Sequence, residues 1–285
     1  MSVLSGQKKI WITGTVILIG AGIGWGWNRK SSTEKPVISA PDTQAPGGDQ
    51  VSIFTLVGHT ETGRRKWEVQ GETADLAGQM VQLSPVKAIS YGKVDIQITA
   101  NRGRFHKKSK NVHLRGNVVA VTSDDSRLET EVLDWNQLRE SATTKRHVKV
   151  LRVGMTANGT GAVAYPKRKW VKLFEKVTVT LRDPKGSNTV VTCDGSMEVD
   201  YARNKARFWK NVKVADARGI ITSDRLDLNL NPKTHQMDRA IFSGRVRIDH
   251  GNEVAYANQV NYWQPQGYVR LIGHPKMVLT PEQEP

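Results

Sequence analysis

One tripeptide recurs along the chain, and it constrains the fold more than any other feature. Its seven copies are centred on Ala74, Ala100, Thr130, Ala157, Cys193, Ser223 and Ala257, 26 to 36 residues apart. The centre is always small, and the third residue is Asp, Asn or Glu, as in Thr99-Ala100-Asn101 and Thr222-Ser223-Asp224. A second element follows each copy, of the form polar-Val-x-Val: His147-Val148-Lys149-Val150, Lys176-Val177-Thr178-Val179, Asn211-Val212-Lys213-Val214 and Arg245-Val246-Arg247-Ile248. Turn signals lie between the two, such as Tyr165-Pro166-Lys167-Arg168, Asn231-Pro232-Lys233-Thr234 and Gln264-Pro265-Gln266-Gly267. Each unit reads as strand, turn, strand. Units of this size bury a shared core only by stacking on one another.

Alternation supports the strands. Val112, Leu114, Gly116, Val118 and Ala120 fall on one face; so do Leu226, Leu228 and Leu230, and Phe242, Gly244, Val246 and Ile248. Period two with β-branched enrichment marks half-buried strands, and no stretch after residue 50 carries a helical period. Seven units of two strands predict roughly fourteen antiparallel strands, an all-β fold with two open sheet edges. Those edges need capping or serve as docking sites by strand addition.

The first fifty residues read differently. Residues 10–27 (IWITGTVILIGAGIGWGW) carry no charge, with Trp11 near one end and Trp25 and Trp27 at the other. That length and those flanking indoles fit a membrane-spanning helix. The run ends in Trp25-Gly26-Trp27-Asn28-Arg29-Lys30, which is no small-residue cleavage site, so an uncleaved anchor is expected after a short cytoplasmic segment of residues 1–9. Gly20, Gly22, Gly24 and Gly26 make overlapping small-xxx-small pairs. They suit close packing on another membrane helix, although glycine is also merely common in such helices. Residues 28–50, with Pro36, Pro41, Pro46, Gly47 and Gly48, read as a flexible linker.

Formal net charge is +15, which favours anionic partners or leaves a solvated basic surface. A nucleic-acid role is disfavoured: the anchor places the domain outside the cytoplasm, and no aromatic platform interleaves with the cations. No catalytic constellation, phosphate loop, cofactor motif or metal spacing is evident; the seven histidines are dispersed. Cys193, the only cysteine, occupies the small slot of the repeat and reads as a buried structural residue. A non-enzymatic chain is expected.

The stretch Leu128-Glu129-Thr130-Glu131-Val132-Leu133-Asp134-Trp135, then His147-Val148-Lys149-Val150 and Gly159-Thr160-Gly161, resembles the LptC family of lipopolysaccharide export. The units from Cys193 to Leu279 resemble the OstA-like repeats of LptA. LptC proteins usually stop near the end of the first stretch, so this chain would carry extra LptA-like repeats. The resemblance implies an elongated, V-shaped antiparallel β-jellyroll, LptC-like over residues 51–163 and LptA/OstA-like over 164–285. It implies an inner-membrane, single-pass protein with its C-terminal domain in the periplasm. Its partners would be lipopolysaccharide (lipid A), the membrane subunits of an ABC transporter, and a periplasmic LptA-like bridge protein at the C-terminal edge strand. Acyl chains would lie along an inward stripe of Leu114, Val118, Val148, Val150, Leu173, Val177, Val179, Phe208, Val212, Val214, Phe242, Val246, Ile248 and Leu271. Arg102, Arg104, Lys167, Arg168, Arg245 and Arg247 would hold phosphates at the rim. From the residues alone, the same stripe equally describes a structural, anchored β-repeat protein with a closed core.

Overall fold

The computed structural model describes residues 37–39, 50–51, 54–59, 62–75, 78–91, 95–123, 125–182, 188–232, 237–264 and 266–279. The expected membrane helix at 10–27, with its four glycines, and almost all of the linker lie outside these residues. Among the described residues, no helix is long and apolar enough to cross a membrane.

The chain forms two compact units, with the boundary at Phe174/Glu175. The N-terminal unit contains β1 (Val37–Ser39), β2 (Gln50–Val51), β3 (Phe54–His59), β4 (Arg65–Asp75), β5 (Met80–Ser90), β6 (Ile96–Ala100), β7 (Arg102–His106), β8 (Val112–Thr122), β9 (Arg127–Asn136), β10 (Ser141–Arg152) and β11 (Met155–Tyr165). A 3-10 turn at Pro166–Arg168 leads into β12 (Trp170–Arg182), within which the boundary falls. The C-terminal unit continues with β13 (Asn188–Cys193), β14 (Met197–Asp200), β15 (Lys205–Asp216), β16 (Gly219–Leu230), β17 (Met237–His250), β18 (Glu253–Trp263), β19 (Tyr268–Ile272) and β20 (Lys276–Leu279). All the strand pairs detailed below are antiparallel.

Among the described residues twenty strands stand where the repeat predicted about fourteen. The difference has a physical cause. Each long strand carries two separate ladders, and in places the chain breaks between them. β8 pairs β7 through residues 112–115 and β6 through 119–122. β18 pairs β19 through 259–263 and β20 through 253–256. The ladders of β8/β9, β9/β10, β10/β11, β15/β16, β16/β17 and β17/β18 all shift register midway. Each unit is thus two leaves joined at a line of corners.

The two elements of the sequence repeat meet at those corners. In the N-terminal unit Val86 faces Ala100, and Val118 and Val148 both face Thr130. In the C-terminal unit Val177 faces Cys193, Val212 faces Ser223, and Val246 faces Ala257. Every one of these eleven positions is buried. At these five copies the centre is small because the leaves converge there and a valine already occupies the space opposite; Ala74 faces Leu83, and Ala157 faces Val150 away from the corner.

The third residue of the tripeptide closes the corner from outside. Asn101 N–H donates to the Gly116 carbonyl at 2.9 Å, and Asp194 N–H to the Lys210 carbonyl at 3.0 Å. The Asn211 amide donates to Asp194 at 2.7 Å, and Arg245 Nε to Asp224 at 3.0 Å. The partner strand bulges at this point. Gly116 has φ +79° and Gly244 φ +77°, and a Cβ on either would collide with Asn101 or Asp224. The bulge adds one residue. Inward positions therefore step by four on one strand (Phe208 to Val212, Phe242 to Val246) and by three on its partner (Ser223 to Leu226, Ala257 to Val260). Gly116 and Gly244, read from the sequence as members of an alternating face, are corner residues instead.

Candidate functional site

The leaves of each unit enclose an apolar interior. In the N-terminal unit, Val81, Leu83 and Leu114 of one leaf cluster with Val86, Ala100 and Val118 of the other. Val69, Ile98, Phe105, Val112 and Leu133 pack against that cluster. In the C-terminal unit, Val179, Leu181, Thr189, Val191, Val214 and Ile221 face Phe208, Leu226, Leu228, Met237, Ala240, Phe242 and Tyr262 across a cavity of ≈ 40 Å³. At about 10–15 Å³ per water-sized sphere, that is room for a few waters and no acyl chain.

Of the fourteen inward residues predicted from the sequence, Leu114, Val118, Val148, Leu173, Val177, Val179, Phe208, Val212, Phe242 and Val246 are buried. Val150, Val214, Ile248 and Leu271 are half-buried. They divide between the two units. The predicted stripe left out Leu181, Val191, Met197, Leu226, Leu228, Met237 and Tyr262, all of them buried. For Leu226 and Leu228 the alternation was itself the signal. Tyr262 is 1 % exposed, and burial raises its hydroxyl pKa. No spacing marks a lone tyrosine as inward, because its neighbours Asn261 and Val260 are equally buried.

The predicted rim cations fare unevenly. Arg245 forks onto Asp224, and Arg247 onto Asp249 with Nε–Oδ1 at 2.9 Å. Lys167 is ion-paired to Glu140. Hydrogen bonding from Arg245 lowers the Asp224 pKa, and the carboxylate in turn raises that of Arg245. These three cations are matched by the protein's own carboxylates. Arg102 and Arg104 flank the buried Gly103 on β7, are exposed, and point away from the interior; Arg102 stands opposite Arg115. Arg168 remains at a turn, with its guanidinium 5.2 Å from the Tyr165 ring. Cys193 is buried, and desolvation pushes its thiol up to about 11. At neutral pH it is a packed, protonated side chain and a poor nucleophile.

At the C-terminal edge, β19 and β20 pair only with β18 among the described residues. Tyr268, Ile272, Met277 and Val278 are exposed there.

Residues 15–182 match the model of the LptC-related lipopolysaccharide-assembly family, more than half of the chain. The chain belongs to that family. Residues 190–284 match the model of the LptA and LptD N-terminal lipopolysaccharide transport proteins. It is therefore an LptC-family protein with an additional LptA-like C-terminal domain, and its role lies in lipopolysaccharide transport. Both families are transport scaffolds, and the LptC family is typically associated with the cell envelope. No curated protein matches the chain significantly.

Proposed function

We propose that this protein is an inner-membrane-anchored periplasmic scaffold that accepts lipopolysaccharide from an ABC transporter and passes it, acyl chains inward, to a bridge protein. The observation that carries the reading is the apolar interior between paired leaves, found in both the LptC-like and the LptA-like unit. Each aliphatic CH₂ taken from water into such a wall gains about 0.8 kcal/mol. A wall of Val, Leu and Ala offers that gain evenly, so a sliding chain meets no deep well. The uncharged segment 10–27 supplies the anchor, and its glycine pairs supply a face for the transporter's membrane helices. The exposed edge of β19 and β20 offers backbone groups to the next jellyroll by strand addition.

The test is photocrosslinking of lipopolysaccharide from probes at Val118, Val177 and Val246 in the full chain. All three are expected to label lipid. Labelling at none of them would sink the reading. Separately, deletion of Met1 to Lys30 is expected to abolish co-purification with the transporter.

One observation favours a second reading. The cavity lined by Val179, Phe208 and Tyr262 in the C-terminal interior measures only ≈ 40 Å³, which suits a closed structural core. For lipid to enter, the leaves must part along their free ends and pivot at the corners. Under the second reading they never do, and no probe labels.

A further inference from the structure

The turns at the far ends of the strands form two rims in the N-terminal unit, and the rims differ in charge. The leaf built on β7 and the first half of β8 ends in the turns at residues 107–110, 137–140 and 166–169. The first turn carries Lys107, Lys108 and Lys110, the second Arg139 and Glu140, and the third Lys167, Arg168 and Lys169. The opposite leaf ends at residues 62–64, 91–95, 123–126 and 153–154, whose described members carry one cation, Arg64, against Asp95 and Asp125. Successive turns on one rim are two strands apart, about 10 Å. The Lys167–Glu140 pair bridges the second and third turns, so the row is continuous there.

All seven of these cations are exposed, and Lys167 is the one paired with Glu140. Lys110 is held 5.6 Å from the Phe105 ring and Arg168 5.2 Å from the Tyr165 ring, which fixes both at the rim. Phe105 packs on the apolar cluster directly behind its turn. The basic row and the apolar interior are therefore adjacent. In the C-terminal unit Arg203, at the turn into β15, is paired with Asp200, and Arg218, Arg225 and Arg207 are paired with Asp216 and Asp227.

We propose that this rim of the N-terminal unit binds the phosphates of an anionic, acylated saccharide whose acyl chains enter the adjoining interior. The inference rests on the reading of that interior as an acyl path, and it adds that one rim alone recognises the head group. Cations spaced along a rim at intervals of about 10 Å let a phosphate pass from turn to turn without being released. The neutral-to-acidic opposite rim sets the orientation of the head group, since like charge repels it. C-terminal arginines that are internally paired hold anions less firmly, so the head group loosens as it advances.

The test uses the full chain in detergent, with benzoyl-phenylalanine replacing Phe105. Two probes are compared: an acylated disaccharide bearing two phosphates, and the same amphiphile with the phosphates removed. The native chain should label the phosphorylated probe more strongly. The combined variant Lys108→Gln, Lys110→Gln, Arg139→Gln, Arg168→Gln and Lys169→Gln should lose roughly tenfold in labelling of that probe. It should label the dephosphorylated probe as the native chain does. Substitutions at exposed turns usually cost within about 0.5 kcal/mol, and an unchanged melting curve is the control; Asp125→Asn on the other rim should change nothing.

Equal labelling of both probes by the native chain would overturn the rim assignment and leave the acyl path standing. Labelling of neither would overturn both. Full displacement by millimolar inorganic phosphate would mean a free-phosphate site and overturn the head-group reading. If the variant keeps its labelling but loses binding to vesicles rich in phosphatidylglycerol, the row is a membrane-docking surface and the proposal fails.

Discussion

Ser223 and Ala257 show what a single position does in this fold. Each is buried opposite a valine where two leaves converge, so added methylenes have nowhere to go. Ser223→Leu and Ala257→Leu are expected to destabilise by about 1–3 kcal/mol in denaturant titration. Gly244→Ala should cost a comparable amount through its φ of +77° and its contact with Asp224. Cys193 adds a pH term. Its folded pKa lies near 11, against a reference of 9.0, so the folded state keeps its proton longer. That contribution is complete below pH 9 and is lost as pH rises through 11. The stability difference between the native chain and Cys193→Ala should therefore shrink over that interval, as measured by urea unfolding at stepped pH. The smallness of the repeat centre was plain in the sequence. Its cause was not, because the valine it meets lies on another strand at a distance set by a bulge.

Strands as elements were largely legible. Alternation located β8, β16 and β17, and the turn at Pro166–Arg168 fell where expected. The sequence could not show that each strand belongs to two ladders. A bulge of one residue at Gly116 or Gly244 leaves the alternation unbroken on its own strand, Leu114 to Val118 or Phe242 to Val246. The matching three-residue step, Ser223 to Leu226, looks like an interruption unless its partner is known. Charge pairing was equally hidden: Arg245 finds Asp224 twenty-one positions earlier, across strands. Interior filling can be tested at this scale. Ala240 lines the C-terminal cavity, and Ala240→Val is expected to stabilise by about 0.5–1 kcal/mol in thermal melts, as cavity filling commonly does. If the interior conducts lipid, the same change should lower labelling from the Val246 probe.

Any ligand that binds only the folded state stabilises it, and lipid held between the proposed leaves would do the same. Saturating amphiphile at a hundred times its Kd should raise unfolding free energy by about 2.7 kcal/mol. A calorimetric scan with and without the acylated disaccharide measures it, and no shift would favour the closed core. The corner line has a further consequence, for how such chains lengthen. A hairpin such as β16–β17 brings half of the crease on each side, Ser223 small on one strand and Val246 at the bulge on the other. Duplicating one hairpin therefore adds a length of ladder whose crease joins its neighbours' without altering either, whereas an insertion of one strand would leave a crease unmatched.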